Sequence, residues 1–342
     1  MSLIEVHLLT KHFHLAVKTP GLAGAFRHIL RPHFREKIAV DHIDLTIETG
    51  ERVGYVGPNG AGKSTTVKML TGILVPTEGE VRVRGLEPHR QRAENARNIG
   101  VVFGQRTQLW WDLPVQESLR LLGDIYAVPR ERFKRNLDEF IELLELEPFL
   151  TTPARQLSLG QRMRCDLAAS FLHSPPIIFL DEPTIGLDVA VKERIRQFIK
   201  RNNREYGTTM LLTSHDLRDI EDLCERLIMI DKGRIVFDGP LSDIHARFGG
   251  ARVAHFILSS AIPQALAAAR QALPELPPEA FDCPDPYALS VQFDAAQATA
   301  SQIVSRLLGV LPVNDLQLEE PSIESVIRRL YEGQLQFEEP AA

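Results

Sequence analysis

The sequence predicts an α/β fold with a small α+β domain appended, and three observations carry that prediction. Short β-branched runs alternate with helical stretches from residue 1 to about 248. A glycine-rich loop joins one such run to a helical pattern. Beyond Gly249-Gly250 the texture changes to two apolar runs and two further helical patterns. A length of 342 residues suits two domains, one of them large.

Taken in chain order, the candidate strands of the first region are Arg52–Val56, Asn98–Phe103, Ile177–Leu180, Met210–Thr213 and Leu227–Ile230. Between Val115 and His173 the period turns helical, with Phe133, Leu137, Phe140, Ile141 and Leu144 three or four apart, and this predicts an inserted helical subdomain over about 107–173. Asp231-Lys-Gly-Arg separates two apolar runs like a tight hairpin turn. The domain boundary is expected between 248 and 249. After it, Val253–Leu258 and Tyr287–Phe293 read as strands, Ala261–Ala272 and Ala295–Leu308 as helices, and Ile323–Leu335 as a terminal amphipathic helix. No internal repeat is visible.

Composition removes several function classes. A formal net charge of −6 argues against a general nucleic-acid binder, which needs basic excess to displace phosphate counterions. Cys165, Cys224 and Cys283 are too scattered for a disulfide framework or a CxxC metal site. Apolar runs such as Ile177–Leu180 fall far short of the roughly 18 residues that cross a bilayer. The first residues lack a basic stretch followed by an apolar one, so no secretory leader is expected and the cytoplasm is the expected compartment.

The segment Gly57-Pro58-Asn59-Gly60-Ala61-Gly62-Lys63-Ser64 fits G-x-x-x-x-G-K-[ST] between the strand Arg52–Val56 and a helical pattern beginning near Thr65. Its glycines let backbone N–H groups curl around phosphate, Lys63 reaches the β and γ phosphates, and the Ser64 hydroxyl suits Mg²⁺. ATP with Mg²⁺ is the expected ligand. The apolar run Ile177–Leu180 then ends in Asp181 and Glu182 at the strand's C-terminal edge. Asp181 is the candidate Mg²⁺ ligand and Glu182 the group that polarises the attacking water. The loop alone does not choose among kinases, GTPases, helicases and transport ATPases.

About twenty residues upstream stands Leu157-Ser158-Leu159-Gly160-Gln161, which resembles the signature of the ABC ATPases, usually Leu-Ser-Gly-Gly-Gln. Here Leu159 stands where that form has glycine, while Ser158, Gly160 and Gln161 are kept. Gln105 resembles the Q-loop, Gly186-Leu187-Asp188 the D-loop, and His215 the switch histidine, all in register over about the first 240 residues. The resemblance implies a P-loop NTPase core of RecA type with an antiparallel β subdomain and a helical subdomain. It also implies that two copies share ATP, with Ser158, Gly160 and Gln161 reaching the γ phosphate held by the second copy. On the same footing Gln105 contacts Mg²⁺ and the attacking water, Asp188 lies at the subunit boundary, and His215 binds the γ phosphate. Phe13 is the candidate for stacking on adenine, with Phe34 as the alternative and ordinary core packing open for both.

The resemblance further implies a membrane permease on separate chains, a second nucleotide-binding subunit, a peripheral place on the cytoplasmic face of the membrane, and no nucleic-acid partner. Asp-Glu-Pro-Thr-Ile-Gly-Leu-Asp and the C-terminal extension resemble export-type members, so export is expected over import, and the extension is assigned to dimer stabilisation or regulation. A soluble ABC ATPase on ribosomes or DNA is the alternative, disfavoured by one cassette, no long coiled coil and acidic balance. Trp110-Trp111 reads either as a knob for the permease or as packing inside the helical subdomain. His14–Glu36, with Leu22, Phe26, Ile29 and Leu30 among basic residues, reads as a basic amphipathic helix that meets the membrane partner, anionic headgroups or only solvent.

Overall fold

The computed structural model describes residues 2–16, 34–104, 106–248, 251–260, 265–294 and 298–319. The chain divides into two compact units, Met1–Gly239 and Pro240–Ala342.

The first unit opens with a hairpin of β1 (Ser2–Ala16) and β2 (Phe34–Glu48), then β3 (Arg52–Val56), α1 (Lys63–Leu70) and β4 (Glu78–Val83). It continues through α2 (Arg92–Asn98), β5 (Ile99–Phe103) and the helices α3 (Val115–Ile125), α4 (Arg130–Leu144) and α5 (Leu159–Phe171). The remainder is β6 (Ile177–Asp181), α6 (Val189–Tyr206), β7 (Thr209–Thr213), α7 (Leu217–Leu223), β8 (Arg226–Asp231) and β9 (Arg234–Pro240).

Two sheets result. One is antiparallel in the order β2-β1-β4, and the other has six strands in the order β5-β6-β7-β3-β8-β9. From β5 to β8 the second sheet is parallel, which explains why Ile177–Leu180 and Met210–Leu212 are buried without alternation. Because those strands run the same way, the loops after β3, β5, β6 and β7 all emerge at one edge. Ile4, Leu9, Ile43 and Ile47 of the hairpin share a buried apolar cluster with Tyr55, Phe179, Leu211 and Ile228 of the large sheet and Val67 and Leu70 of α1. Tyr55 keeps its hydroxyl satisfied by donating to Thr66 Oγ at 3.2 Å, which fastens β3 to α1.

The helical insertion coheres through aromatic edges. Phe198 of α6 meets Phe140 of α4 and Phe171 of α5 edge-on at 5.2 and 5.1 Å. The tight turn between β8 and β9 has positive φ at both Lys232 and Gly233, the handedness that suits twisted antiparallel strands.

The basic helix expected over His14–Glu36 is not seen at its ends. His14 pairs with Glu36 and Ala16 with Phe34 as antiparallel strand partners, and His12 Nδ1 lies 2.7 Å from the Glu36 carboxylate. Continuing the ladder satisfies backbone groups that a helix starting at His14 would have had to pair anew. Leu22, Phe26, Ile29 and Leu30 lie outside the described residues, as do Gly249, Gly250 and the expected helix Ile323–Leu335.

The second unit contains α8 (Leu241–Phe248), β10 (Ala251–Leu258), α9 (Ala265–Ala272), β11 (Phe281–Asp285), β12 (Ala288–Asp294), α10 (Ala300–Leu308) and β13 (Val313–Glu319). It takes in α8, which the expected boundary assigned to the first domain. Its sheet is antiparallel in the order β11-β12-β10-β13, so the β-α-β-β-α-β sequence folds as a split βαβ sandwich. Alternate residues Ala254, Phe256, Leu289, Val291 and Phe293 bury one face with Ala265 and Ala269 of α9 and Ile303 and Leu307 of α10. Among the described residues no helix is long and apolar enough to cross a membrane.

Candidate functional site

The loop between β3 and α1 is shaped by close approaches that only glycine permits. A Cβ on Gly57 would sit 2.2 Å from the Ile230 carbonyl oxygen, and one on Gly62, where φ is +117°, would sit 2.4 Å from that of Ala39. The first turn of α1 has neither an acidic residue nor a side-chain cap, so its N–H groups are left for an anion. Lys63 is only 7% exposed, and its ammonium donates to the carbonyl oxygens of Gly57 and Pro58. Burial pushes the Lys63 pKa below the usual lysine range, an effect that the nearby Glu182 and Asp181 carboxylates oppose.

At the end of β6, Asp181 Oδ1 accepts from Thr213 Oγ at 2.6 Å and from Ser64 Oγ at 3.5 Å. A hydroxyl beside a carboxylate is a hard-oxygen donor pair. It fits Mg²⁺, which takes one or two protein oxygens and completes its shell with phosphate and water.

Glu182 has left-handed backbone geometry, φ +59°, a costly state for a residue with a Cβ. It is held there by its N–H donating to Thr213 O at 3.0 Å and by Gly104, whose Cβ position lies 2.4 Å from Glu182 O. Its carboxylate accepts from the His215 backbone N–H at 3.2 Å and lies 3.2 Å from His215 Nε2. Burial raises the Glu182 pKa, while His215 and Lys63 pull it back.

A cavity of about 600 Å³ joins these groups. Phe13, Asn59, Gly60, Gly62, Lys63, Ser64, Thr65, Asp181, Glu182 and His215 all line it. Gly57, Pro58 and Ala61 belong to the loop without facing the cavity. Gln105 lies outside the described residues, and of Phe34 only the backbone, in β2, is described. Sequence reading missed Lys37, Lys68 and Arg106, which also line the cavity. Lys37 pairs with Phe13 across the hairpin, and Lys68 is one helical turn from Ser64. The second relation was available in the i, i+4 spacing; the first needed the strand register.

Ser158, Gly160, Gln161 and Asp188 do not line the cavity. Ser158 caps α5 in a reciprocal box: its Oγ accepts from Gln161 N at 3.3 Å, and its own N–H donates to Gln161 Oε1 at 2.9 Å. Asp188 caps α6 by accepting from Val191 N at 2.9 Å. A Cβ on Gly160 would meet nothing closer than 3.7 Å, the nearest atoms being those of Leu187 and Val191, so steric packing within this chain does not require glycine there.

Residues 40–185 match the family model described as "ABC transporter". The "ABC transporter ATP-binding protein NatA" of Bacillus subtilis (strain 168) is 34% identical over 207 residues, which is 60% of this chain and 84% of that protein. The "Linearmycin resistance ATP-binding protein LnrL" of the same organism is 28% identical over 306 residues, 88% of this chain and 96% of its own length. Among solved structures, a "Dimeric structure of a post-hydrolysis state of the ATP-binding cassette MJ0796 bound to ADP and Pi" superposes with TM-score 0.57 at 29% identity, covering 70% of this chain and 98% of that one.

Proposed function

The chain belongs to the ABC transporter ATP-binding family, and from that premise we propose how its site divides the work of hydrolysis and what the hydrolysis drives. It is an ATP-binding, ATP-hydrolysing transporter subunit. One observation carries the site assignment. Lys63, Asp181, Glu182 and His215 share one cavity, while Ser158 and Asp188 lie away from it. A single copy thus has half of the constellation that its motifs describe, and a second copy supplies the rest.

In this reading ATP enters with its triphosphate over the Gly57–Gly62 loop, and Lys63 exchanges its carbonyl contacts for phosphate oxygens. Phe13 offers its face to the adenine. Ser64 and Asp181 would hold Mg²⁺, which would supply neutralisation of the phosphate charge. Glu182 orients water for in-line attack on the γ phosphorus. The bond to the ADP oxygen breaks, and the water's proton passes to the Glu182 carboxylate. His215 steadies that carboxylate and reaches the γ phosphate. Gln105 completes the water site. Ser158, Gly160 and Gln161 of the second copy close over the same phosphate, and Asp188 lies at the boundary between copies. Gly160 is explained by that approach, since packing within its own chain leaves room for a side chain.

The coupled partner is a permease on separate chains, with this subunit peripheral on the cytoplasmic face of the membrane. Export is favoured because the match to the resistance protein LnrL covers 88% of this chain, against 71% for a methionine import protein. The second unit stabilises the dimer or regulates it. The test of the site is Glu182→Gln. ATP binding, read by a fluorescent nucleotide, is retained, while phosphate release falls by about 10²–10⁴-fold, the range of a lost general base. Parental turnover would remove Glu182 from this role.

A further inference from the structure

Asp166 of α5 is 4% exposed, and among the described residues the nearest help from charge is the Arg162 guanidinium, which acts on it without a hydrogen bond. Its Oδ1 accepts from Thr107 Oγ at 2.8 Å and from Gln108 N at 3.0 Å. The Gln108 amide in turn donates to the Asp166 carbonyl at 3.1 Å and contacts Ser170 Oγ at 2.5 Å. Ser170 Oγ lies 2.9 Å from the Val101 carbonyl, so the same cluster reaches β5. There the packing is tight: a Cβ on Gly100 would be 2.4 Å from Ser170 O.

These bonds connect two places with different chemistry. Gly104 and Arg106, just before Thr107, line the nucleotide cavity. Ser158, at the start of α5, lies eight residues before Asp166, roughly 12 Å along a helix rising 1.5 Å per residue. A buried carboxylate with only neutral donors is an expensive way to fill a core position. It does provide a directional anchor that an apolar side chain would lack.

We propose that Asp166 is a positioning residue that locks the segment after Gln105 to α5, so that a nucleotide at the first site sets the orientation of Ser158. The lock rests on the dimeric reading only for its final consequence, the presentation of Ser158 to a second copy.

The test uses the full chain with Glu182→Gln, to hold ATP, and adds Asp166→Ala, Asp166→Asn or Thr107→Val. Hydrogen exchange is measured with and without Mg·ATP, first at a dilution that keeps the chain monomeric. In the parent, ATP slows exchange both in 106–109 and in the first turns of α5. In Asp166→Ala and Thr107→Val, protection remains at the phosphate loop and is lost from α5. Asp166→Asn, whose Oδ1 accepts the same two bonds, restores it. At the monomeric dilution the first two variants bind ATP like the parent, and at higher concentration they dimerise at least about tenfold more weakly, the factor that one or two lost hydrogen bonds carry. Without Glu182→Gln, they lower kcat and leave KM unchanged, while a loss of folded chain would lower amplitude alone.

The proposal is overturned if α5 in the parent does not respond to ATP, if it responds equally in Asp166→Ala, or if the variants lose ATP affinity at the monomeric dilution. A parent that never dimerises, while α5 still responds through Asp166, would refute the dimeric reading and leave the lock standing.

Discussion

Replacing Gly104 by alanine tests whether the position of Glu182 is set by backbone packing. The added Cβ would stand 2.4 Å from Glu182 O and 3.1 Å from Asp181 O. An ordinary carbon–oxygen contact is about 3.3 Å, so the Glu182 peptide must retreat by roughly 1 Å. It cannot retreat freely, because its N–H is bonded to Thr213 O and its φ is already +59°. A misplacement of about 1 Å costs on the order of 10²-fold in rate, or about 2.7 kcal/mol in barrier. The crowding itself should cost about 1–3 kcal/mol in stability. Phosphate release measured at saturating ATP, beside nucleotide affinity and thermal unfolding, separates these effects. The expected result is a kcat reduced about 100-fold, with ATP affinity held within about threefold, because the Lys63 loop is untouched. Gly160→Ala is the matched control for steric tolerance within one chain, since its Cβ meets nothing closer than 3.7 Å; its folded stability should stay within about 0.5 kcal/mol of the parent. If Gly104→Ala hydrolyses ATP at the parental rate, close packing does not position Glu182.

Two other perturbations address stability. Arg196→Met leaves Asp219, which is 0% exposed and bonded to the Arg196 guanidinium at 2.6 and 2.7 Å, without its cation, and should cost about 3–5 kcal/mol by denaturant titration. His173 is buried, stacks on Tyr126 at 4.0 Å, donates from Nε2 to Ile99 O, and has its pKa pushed down to about 4 by burial. Between that value and its ordinary 6.5 the unfolded chain binds the extra proton, so stability is lost as pH falls through this window. His173→Phe should unfold with a visibly flatter pH dependence between about 6.5 and 4, whatever its constant offset. An unchanged slope would show that His173 does not titrate in this way.

Much of the candidate site was legible because its chemistry lies in contiguous strings. Gly57–Ser64 and Ile177–Glu182 each carry their structural context with them, and a parallel sheet brings the ends of such strings together without further information. The register of the hairpin was not legible. Ile4-Glu5-Val6-His7-Leu8 and Ile43-Asp44-Leu45-Thr46-Ile47 each alternate strictly, but register shifts around Leu8, which has φ +46°, hide which residues face one another across the two strands. Lys37 therefore could not be placed beside Phe13, and the stretch from His14 to Glu36 invited a helix where strand pairing continues at both ends. Asp166 was invisible for another reason. A single acidic residue in a helical pattern normally faces water, and only the packing of Thr107 and Gln108 against it reveals a buried anchor.

The order β5-β6-β7-β3 has a metric consequence. Neighbouring strands are held about 4.8 Å apart by peptide hydrogen bonds, so the outermost of the four loop origins are separated by roughly 14 Å. Apolar substitutions within those strands can accumulate without changing that interval, because amides and not side chains measure it out. The ruler under those loops is made of backbone, and drift in the core leaves its graduations where they were.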